Sequence, residues 1–273
     1  VNDPCLVCGR YQNVYEEINV PEAERRKIPV IRRNTGGGTV YHDRGNLNYT
    51  VIRRRAPEAN FEYDSFLTPV IEALRTIGAP VRKRNTCDIA VGDLKISGSA
   101  QSVKKDRILH HGTLLFDADL TELRGLLTPS EGIFSSKAVK SVRSEVTNIR
   151  SHLQKDMDFD GFRHAFRDAL LKGETVSETV GPEGEREIRR LAREKYETWE
   201  WNFGKSPDFT FRRTARAADL PFTVELCVSR GIVVKCSIEW EAPECGALAE
   251  SVVGRRYSYL DLRSVTELAD LFF

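Results

Sequence analysis

Residues 32–46 read Arg-Arg-Asn-Thr-Gly-Gly-Gly-Thr-Val-Tyr-His-Asp-Arg-Gly-Asn. Three glycines in a row give a backbone that approaches a ligand closely and turns its N–H groups toward an anion. Arg33, just ahead of them, brings a planar cationic fork suited to phosphate or carboxylate. Together they point to a phosphate-bearing ligand. The stretch is not a Walker A loop, because no Gly-Lys-Ser/Thr follows at the required spacing, and it lacks the Gly-x-Gly-x-x-Gly of a dinucleotide fold. Taken alone, a triple glycine is at least as often a surface turn.

A second segment, Lys95-Ile96-Ser97-Gly98-Ser99-Ala100-Gln101, is followed by His110-His111-Gly112-Thr113-Leu114-Leu115. An isolated strand lysine is ordinarily solvated, so Lys95 gains meaning only beside the glycine segment. His42-Asp43 invites a general-base reading, but adjacent strand residues point to opposite faces, so structural hydrogen bonding is the better expectation for His42. Cys5 and Cys8 form a C-x-x-C with no second Cys or His pair at zinc-ribbon spacing, and read as strand residues.

The elements that must position these groups follow from periodicity. Apolar runs at positions 4–9 and 29–32 predict buried strands, and the charged stretch 16–27 between them a short helix. Residues 46–53 alternate as a half-exposed strand should. Phe66, Val70, Ile71 and Leu74 fall at helical intervals within 61–77, which ends at Gly78 and Pro80. Residues 88–91 and 94–97 flank Gly92-Asp93 and predict a hairpin whose glycine takes positive φ. A strand over 110–116, a short helix over 120–127 and an amphipathic helix over 161–171 complete the first part. Residues 172–186 read as a solvated connector and 187–196 as helix. Beyond Pro207 the pattern gives strands at 223–228 and 232–240, with a helical stretch near 265–272. The organisation expected is residues 1–207 as one unit and 208–273 as a small α+β appendage.

Composition sets the outer bounds. The chain has 273 residues, 41 Lys and Arg against 40 Asp and Glu, and six cysteines at irregular positions. Such a balance gives no global field that draws a protein to nucleic acid or an anionic membrane. No run approaches the roughly 18 apolar residues of a membrane helix, and positions 1–10 lack the order of a signal peptide. The cysteine pattern suits a reducing compartment better than a stapled secreted domain, so cytoplasm or mitochondrial matrix is expected.

The two segments in this order, with Gly9-Arg10-Tyr11-Gln12-Asn13 ahead of them and Thr198-Trp199-Glu200-Trp201-Asn202-Phe203-Gly204-Lys205-Ser206-Pro207 behind, closely resemble the lipoate–protein ligase family. The resemblance spans nearly the whole chain. It implies an α/β (α+β) fold shared with biotin ligases, a mixed β-sheet flanked by helices with a small C-terminal accessory domain. It also implies activation of lipoate with ATP and Mg²⁺ to lipoyl-AMP, then transfer to a lysine of an acceptor such as a 2-oxoacid dehydrogenase E2 subunit or the glycine cleavage H protein. No nucleic acid or membrane partner is implied.

Carried over by motif, Lys95 is the catalytic residue, set between the lipoate carboxylate and the α-phosphate. Arg33, Gly38, Thr39, Val40, Tyr41, Asp88 and Asn46 are expected on ATP or lipoyl-AMP, Gly37, Ser97 and His111 on lipoate, and Asp88 also on Mg²⁺. Members usually carry a strand and helix ahead of the Gly-Arg-x-Gln-Asn segment, and this sequence starts almost at it, so part of the sheet and one wall of the lipoyl pocket are expected to be absent or supplied elsewhere. Three alternatives stand beside this reading: a lipoyltransferase that takes preformed lipoyl-AMP, an octanoyl or lipoyl transferase working through a Cys87 thioester without ATP, and a non-catalytic lipoyl-binding scaffold.

Overall fold

The computed structural model describes residues 1–55, 62–173, 176–217, 220–241 and 245–273. Cys5–Cys8 (β1) is the centre of a three-stranded mixed sheet. Val30–Arg32 (β2) runs parallel to it and Val40–His42 (β3) antiparallel, with Val30 and Tyr41 both opposite Leu6. Cys5, Leu6 and Cys8 are buried, as an uninterrupted apolar strand requires. The helix expected over 16–27 is shorter. Val20–Arg25 (α1) starts only after Asn19, whose side chain caps Glu22 N at 3.1 Å, and Pro21 stands in its first turn. Both residues mark a helix start, so the preceding charges lie outside the helix.

Five antiparallel strands form the sheet that carries the site. They are Asn46–Arg54 (β4), Val81–Lys83 (β5), Asp88–Val91 (β6), Leu94–Lys104 (β7) and Arg107–Leu115 (β8), in the order β4-β8-β7-β6-β5. The β6–β7 hairpin turns at Gly92, φ +54°, as expected. The short β5 was not anticipated, because its residues are mostly charged and exposed. Tyr63–Thr76 (α2) and Phe159–Leu171 (α4) cover one face of this sheet. Leu67, Val70, Phe162 and Phe166 pack there on Ile96 and Leu114. The expected start of α2 at Phe61 lies outside the described residues. Leu120–Leu126 (α3) follows the sheet, capped by Asp119.

The third sheet joins distant parts of the chain. Ile133–Ser136 (β9) pairs with Phe209–Ala217 (β10), and Leu220–Ser229 (β11) and Ile232–Trp240 (β12) complete it. Neither β9 nor β10 was foreseen. The arginines of β10 mask its pattern, although Phe209 and Phe211 are buried. Residues 172–186 are not all connector, since Pro182–Leu191 (α5) begins at a proline suited to a first helical turn; positions 174–175 lie outside the described residues. The helix continues through Tyr196 as a wider π-type turn, and Trp199–Asn202 (α6) follows. Cys245–Val252 (α7) and Tyr259–Arg263 (α8) were not expected, and the helix expected near 265–272 is only a 3-10 turn at Ala269–Phe272. Leu6, Tyr15, Phe209, Phe211, Tyr257 and Phe272 share one core cluster.

Arg32 ties these parts together. It is fully buried, and its guanidinium donates to the carbonyl oxygens of Gly9 and Gln12 at 2.9 and 2.8 Å, of Trp201 and Asn202 at 3.1 and 3.0 Å, and to Ser206 Oγ at 3.0 Å. Trp201 Nε1 in turn donates to the Arg32 carbonyl at 2.7 Å. The Trp-Glu-Trp-Asn segment is thereby held against the Gly-Arg-Tyr-Gln-Asn segment by a cation whose donors face backbone carbonyls, which solvates a buried charge without a carboxylate.

Candidate active site

The β6–β7 hairpin sets Lys95. A bulge between Ile89 and Ala90 shifts the register so that Asp88 pairs with Gly98 while Ala90 pairs with Lys95. Lys95 Nζ then lies 2.9 Å from Asp88 Oδ1, the lysine a quarter exposed and the aspartate buried. Asn85 donates to the second carboxylate oxygen at 2.8 Å. A Cβ at position 98 would come 3.0 Å from Lys95 Nζ, so Gly98 leaves room for the ammonium. The Lys95 backbone is fixed too, bonding to Glu145 O and Thr147 N at 2.9 and 3.0 Å.

The glycine segment is shaped from beneath. Arg33 donates to the carbonyls of Val7 at 2.9 Å and of Gly36 and Gly38 at 2.7 Å each, and to Thr35 Oγ1 at 3.1 Å. Its guanidinium, expected to meet ATP, here folds the loop; burial lowers its pKa, though an arginine remains a cation. Gly37 has φ +87°, and a Cβ at Gly9 would fall 1.9 Å from the Gly37 carbonyl oxygen. The Gly-Arg-Tyr-Gln-Asn segment is thus the floor on which the loop rests. Gln12 Oε1 accepts from Gly9 N and from Thr39 Oγ1, both at 2.9 Å.

A loop near residue 141 closes over this floor, and sequence reasoning missed it. Ser141 Oγ accepts from Thr39 N and Gln12 Nε2, both at 3.0 Å, and donates to Glu17 Oε2. Ser141 N donates to Glu17 Oε1 at 3.0 Å. Lys140 pairs with the buried carboxylate of Glu16 at 3.3 Å. The sequence signal for it is the mix of cations and hydroxyls in Lys140-Ser141-Val142-Arg143-Ser144, whose nearness to the glycine loop arises only on folding.

These parts enclose a cavity of about 630 Å³, within the size range of small-molecule sites. Lys95, Ser97, Thr39, Val40 and Tyr41 line it, as do Lys140, Arg143, Leu115 and Phe134. Ser97 is buried in that lining, with its hydroxyl beside the Tyr49 phenol. Asp88 stands behind Lys95 rather than in the wall. Gly37, Gly38, Asn46 and His111 are not among the lining residues. Gly38 lies under Ser141. Asn46 is fully buried and donates to Asn48 Oδ1 at 2.8 Å.

His111 Nε2 is 2.7 Å from Thr35 Oγ1, which also accepts from Arg33 Nε. This contact ties the His111 imidazole to the glycine loop. Burial, with the nearby Arg33 cation, pushes its pKa down to about 4. His42 is also lowered to about 4 by burial and bonds Asn2 Nδ2 at 2.9 Å. Asp43 instead accepts from Gly45 N and Asp119 N at 2.9 and 2.7 Å. The two form no dyad.

Cys87 is a poor nucleophile here. Burial and then the Asp88 carboxylate, 3.6 Å from its sulfur, raise the thiol pKa against the pull of Lys95, and it does not line the cavity. Asp88 is a poor metal ligand as arranged, since Lys95 and Asn85 take its oxygens, and no cluster of three His, Cys, Asp or Glu suited to a metal occurs among the described residues. All six cysteines are free. No helix of the described residues is long and apolar enough to cross a membrane.

Comparison with known proteins agrees with this geometry. The family described as the lipoyl protein ligase A/B catalytic domain matches residues 1–171. Lipoate-protein ligase LplJ of Bacillus subtilis is 34% identical over 278 aligned residues, covering 99% of this chain and 84% of that protein. Protein Ta0514 of Thermoplasma acidophilum, with bound lipoic acid, superposes with a TM-score of 0.62 at 27% identity, covering 74% of this chain and 83% of the other. A lipoate-protein ligase A bound with ATP gives a TM-score of 0.61 at 28% identity, covering 74% and 83%. With the glycine loop, the Lys95 hairpin and the tryptophan segment in their places on this mixed α/β fold, the chain belongs to the lipoyl protein ligase A/B family and is a lipoate–protein ligase.

Proposed function

We propose that this cavity joins lipoate to ATP, releases pyrophosphate, and passes the lipoyl group from lipoyl-AMP to a lysine of an acceptor domain. The observation that carries the reading is the Lys95 ammonium, held by a buried carboxylate at 2.9 Å, lining the same cavity as Thr39, Val40 and Tyr41. In the first step a lipoate carboxylate oxygen bonds to the α-phosphorus and the bond to the β-phosphate bridging oxygen breaks. Two anions must meet, and a fixed cation beside both lowers that cost. In the second step the acceptor amine attacks the acyl carbon, AMP leaves, and the amine gives up a proton. The mixed anhydride is already reactive, so no covalent enzyme intermediate is required. Lys95 then steadies charge on the acyl oxygen.

Leu115, Leu123, Leu127 and Phe134 offer the apolar lining that a lipoyl chain would need, with Ser97 beside them. Arg33 acts on the nucleotide by fixing the loop, and Gly37, Gly38, Asn46 and His111 belong to the shell around it. Mg²⁺ would arrive on the ATP phosphates and neutralise the leaving pyrophosphate; no step is assigned to a metal held by Asp88. Acceptors would be E2 subunits or the H protein. Residues 208–273 serve as the accessory unit and buttress the cavity through Phe211 against Gly132.

Lipoate-dependent exchange of pyrophosphate into ATP tests the first step. Exchange retained in Cys87→Ala and lost in Lys95→Ala is the expected result. No exchange in the intact chain, with transfer from supplied lipoyl-AMP preserved, would replace the ligase by a transferase. Loss of exchange in Cys87→Ala would revive the thioester route.

A further inference from the structure

The face of the five-stranded sheet that bears the site does not stop at the site. Directly paired residues share a face, which lets it be read in rows. Asn48 and Thr113 form one row, with Gly98 alongside; Thr50, His111 and Ala100 form the next; then Ile52, Leu109 and Ser102; then Arg54, Arg107 and Lys104. The helices α2 and α4 lie on the opposite face, where Tyr49 meets Phe166 and Phe66 stacks on His110. The glycine loop covers only the His111 row, through Thr35 on His111 and Gly37 beside Ala100. Nothing among the described residues is seated on the two outer rows.

Those rows are apolar and then basic. Ile52 is 58% exposed and Leu109 half-buried beside it. Arg54, Lys104 and Arg107 are all exposed, and Lys105 at the hairpin tip adds a fourth cation. Asp106, 3.5 Å from Arg107, is the one carboxylate paired with this group among the described residues, and Arg54 and Lys104 have none. With rows about 6.6 Å apart along the strands, the basic row stands roughly 20 Å from the Thr113 row that lines the cavity. A chain of net charge +1 thus concentrates positive charge at one end of the very face that leads into its active site.

We propose that this strip is where the acceptor domain docks, with acidic side chains near its target lysine on the Arg54, Lys104 and Arg107 row and an apolar contact on Ile52 and Leu109. The inference rests on the ligase reading given above. Continuity with the cavity and complementary charge both favour an acidic protein over nucleic acid, for which the strip offers no exposed aromatic ring among the described residues to stack a base. The basic row steers encounter and fixes orientation, while the buried apolar contact supplies adhesion. A domain seated there spans the distance to the cavity and delivers its lysine past the glycine loop.

The test uses the full chain and the double variant R54E/K104E, with I52S as a second variant. The probe is an unlipoylated E2 lipoyl domain whose lysine-bearing hairpin carries Asp or Glu, and the same domain with those acids changed to Asn or Gln. Pyrophosphate exchange and lipoyl transfer to hydroxylamine need no acceptor domain and stay within twofold in both variants. For R54E/K104E the acceptor KM rises about tenfold or more at unchanged kcat, and its increase with salt flattens. The neutralised domain shows the same raised KM on the unaltered chain, and no further rise on the variant. An unchanged KM, a salt dependence that persists in the variant, or equal loss with hydroxylamine overturns the docking surface. Tight, salt-sensitive retention of an oligonucleotide that competes with the domain overturns it in favour of nucleic acid. Absence of exchange in the unaltered chain is a failure of the ligase reading instead, and direct binding of the domain to chain and variant still decides the surface.

Discussion

Lys95 Nζ and Asp88 Oδ1 are 2.9 Å apart, yet the two partners differ, since the ammonium is 25% exposed and the carboxylate only 7%. The aspartate anchors the cation from behind and leaves its remaining N–H donors facing the cavity. A pair so arranged positions a charge for an incoming anion rather than cancelling it. Lys95→Ala should therefore slow pyrophosphate exchange by at least about 100-fold, from about 3 kcal/mol of lost transition-state stabilisation. Asp88→Asn, which keeps an acceptor but drops the charge, should cost less than that. Steady-state exchange rates for both variants check this, and a Lys95→Ala enzyme retaining a tenth of its rate would remove the lysine from the mechanism.

Gly9 and Gly37 touch so closely that a methyl group at position 9 would meet the Gly37 carbonyl at 1.9 Å. Gly9→Ala must lift the glycine loop. The expectation is a loss of about tenfold or more in kcat/KM for ATP, because displacing a binding loop by an ångström misplaces the reacting groups. Gly125→Ala, which has open space around it, is the control and should leave the kinetics alone; equal behaviour of the two variants would contradict the proposed floor.

Arg32→Met should unfold more easily by about 3 kcal/mol or more, since it strips several buried carbonyls and Ser206 Oγ of a charged donor. Arg32→Lys keeps the charge but not the fork and should recover only part. Urea midpoints measure both. A midpoint unmoved in Arg32→Met would mean that the tryptophan segment is held by packing alone.

His42, His110 and His111 are each lowered to about 4 by burial first, against about 6.5 in an unfolded chain. Above pH 6.5 neither state takes up these protons. As pH falls from 6.5 toward 4 the unfolded chain binds protons that the folded chain refuses, so stability present at neutral pH is lost, by up to about 1.4 kcal/mol per pH unit for each histidine. Urea midpoints at pH 7.5 and 5 should show this decline, and it should be shallower in His110→Gln. A midpoint that holds or climbs on acidification contradicts the buried neutral imidazoles.

The hairpin at Gly92, the strands at 5–8 and 46–54 and the helices α2 and α4 were readable because one local rule governs each: a turn glycine, an apolar run or a 3.6-residue stripe. The site residues Lys95, Ser97, Thr39, Val40 and Tyr41 were reachable as motifs, and the structure brings them to one cavity. Arg33 was read as a ligand cation because its side chain suits an anion. Only the fold reveals that the carbonyls of Val7, Gly36 and Gly38 already surround it.

What escaped the sequence depends on partners far along the chain. Ser141 closes on Gln12 across 129 positions and on Glu17 across 124, and β9 becomes a strand only because β10 lies beside it. The sequence by itself determined the family chemistry, the lysine proposed to act in it and the close backbone approach that glycine permits, since these reside in side-chain type and short spacing. Tertiary structure alone decided which cation shapes the loop and which faces the cavity, and where the open sheet face turns basic, because hydrogen-bond partners and solvent exposure are set by segments that meet only when the chain is folded.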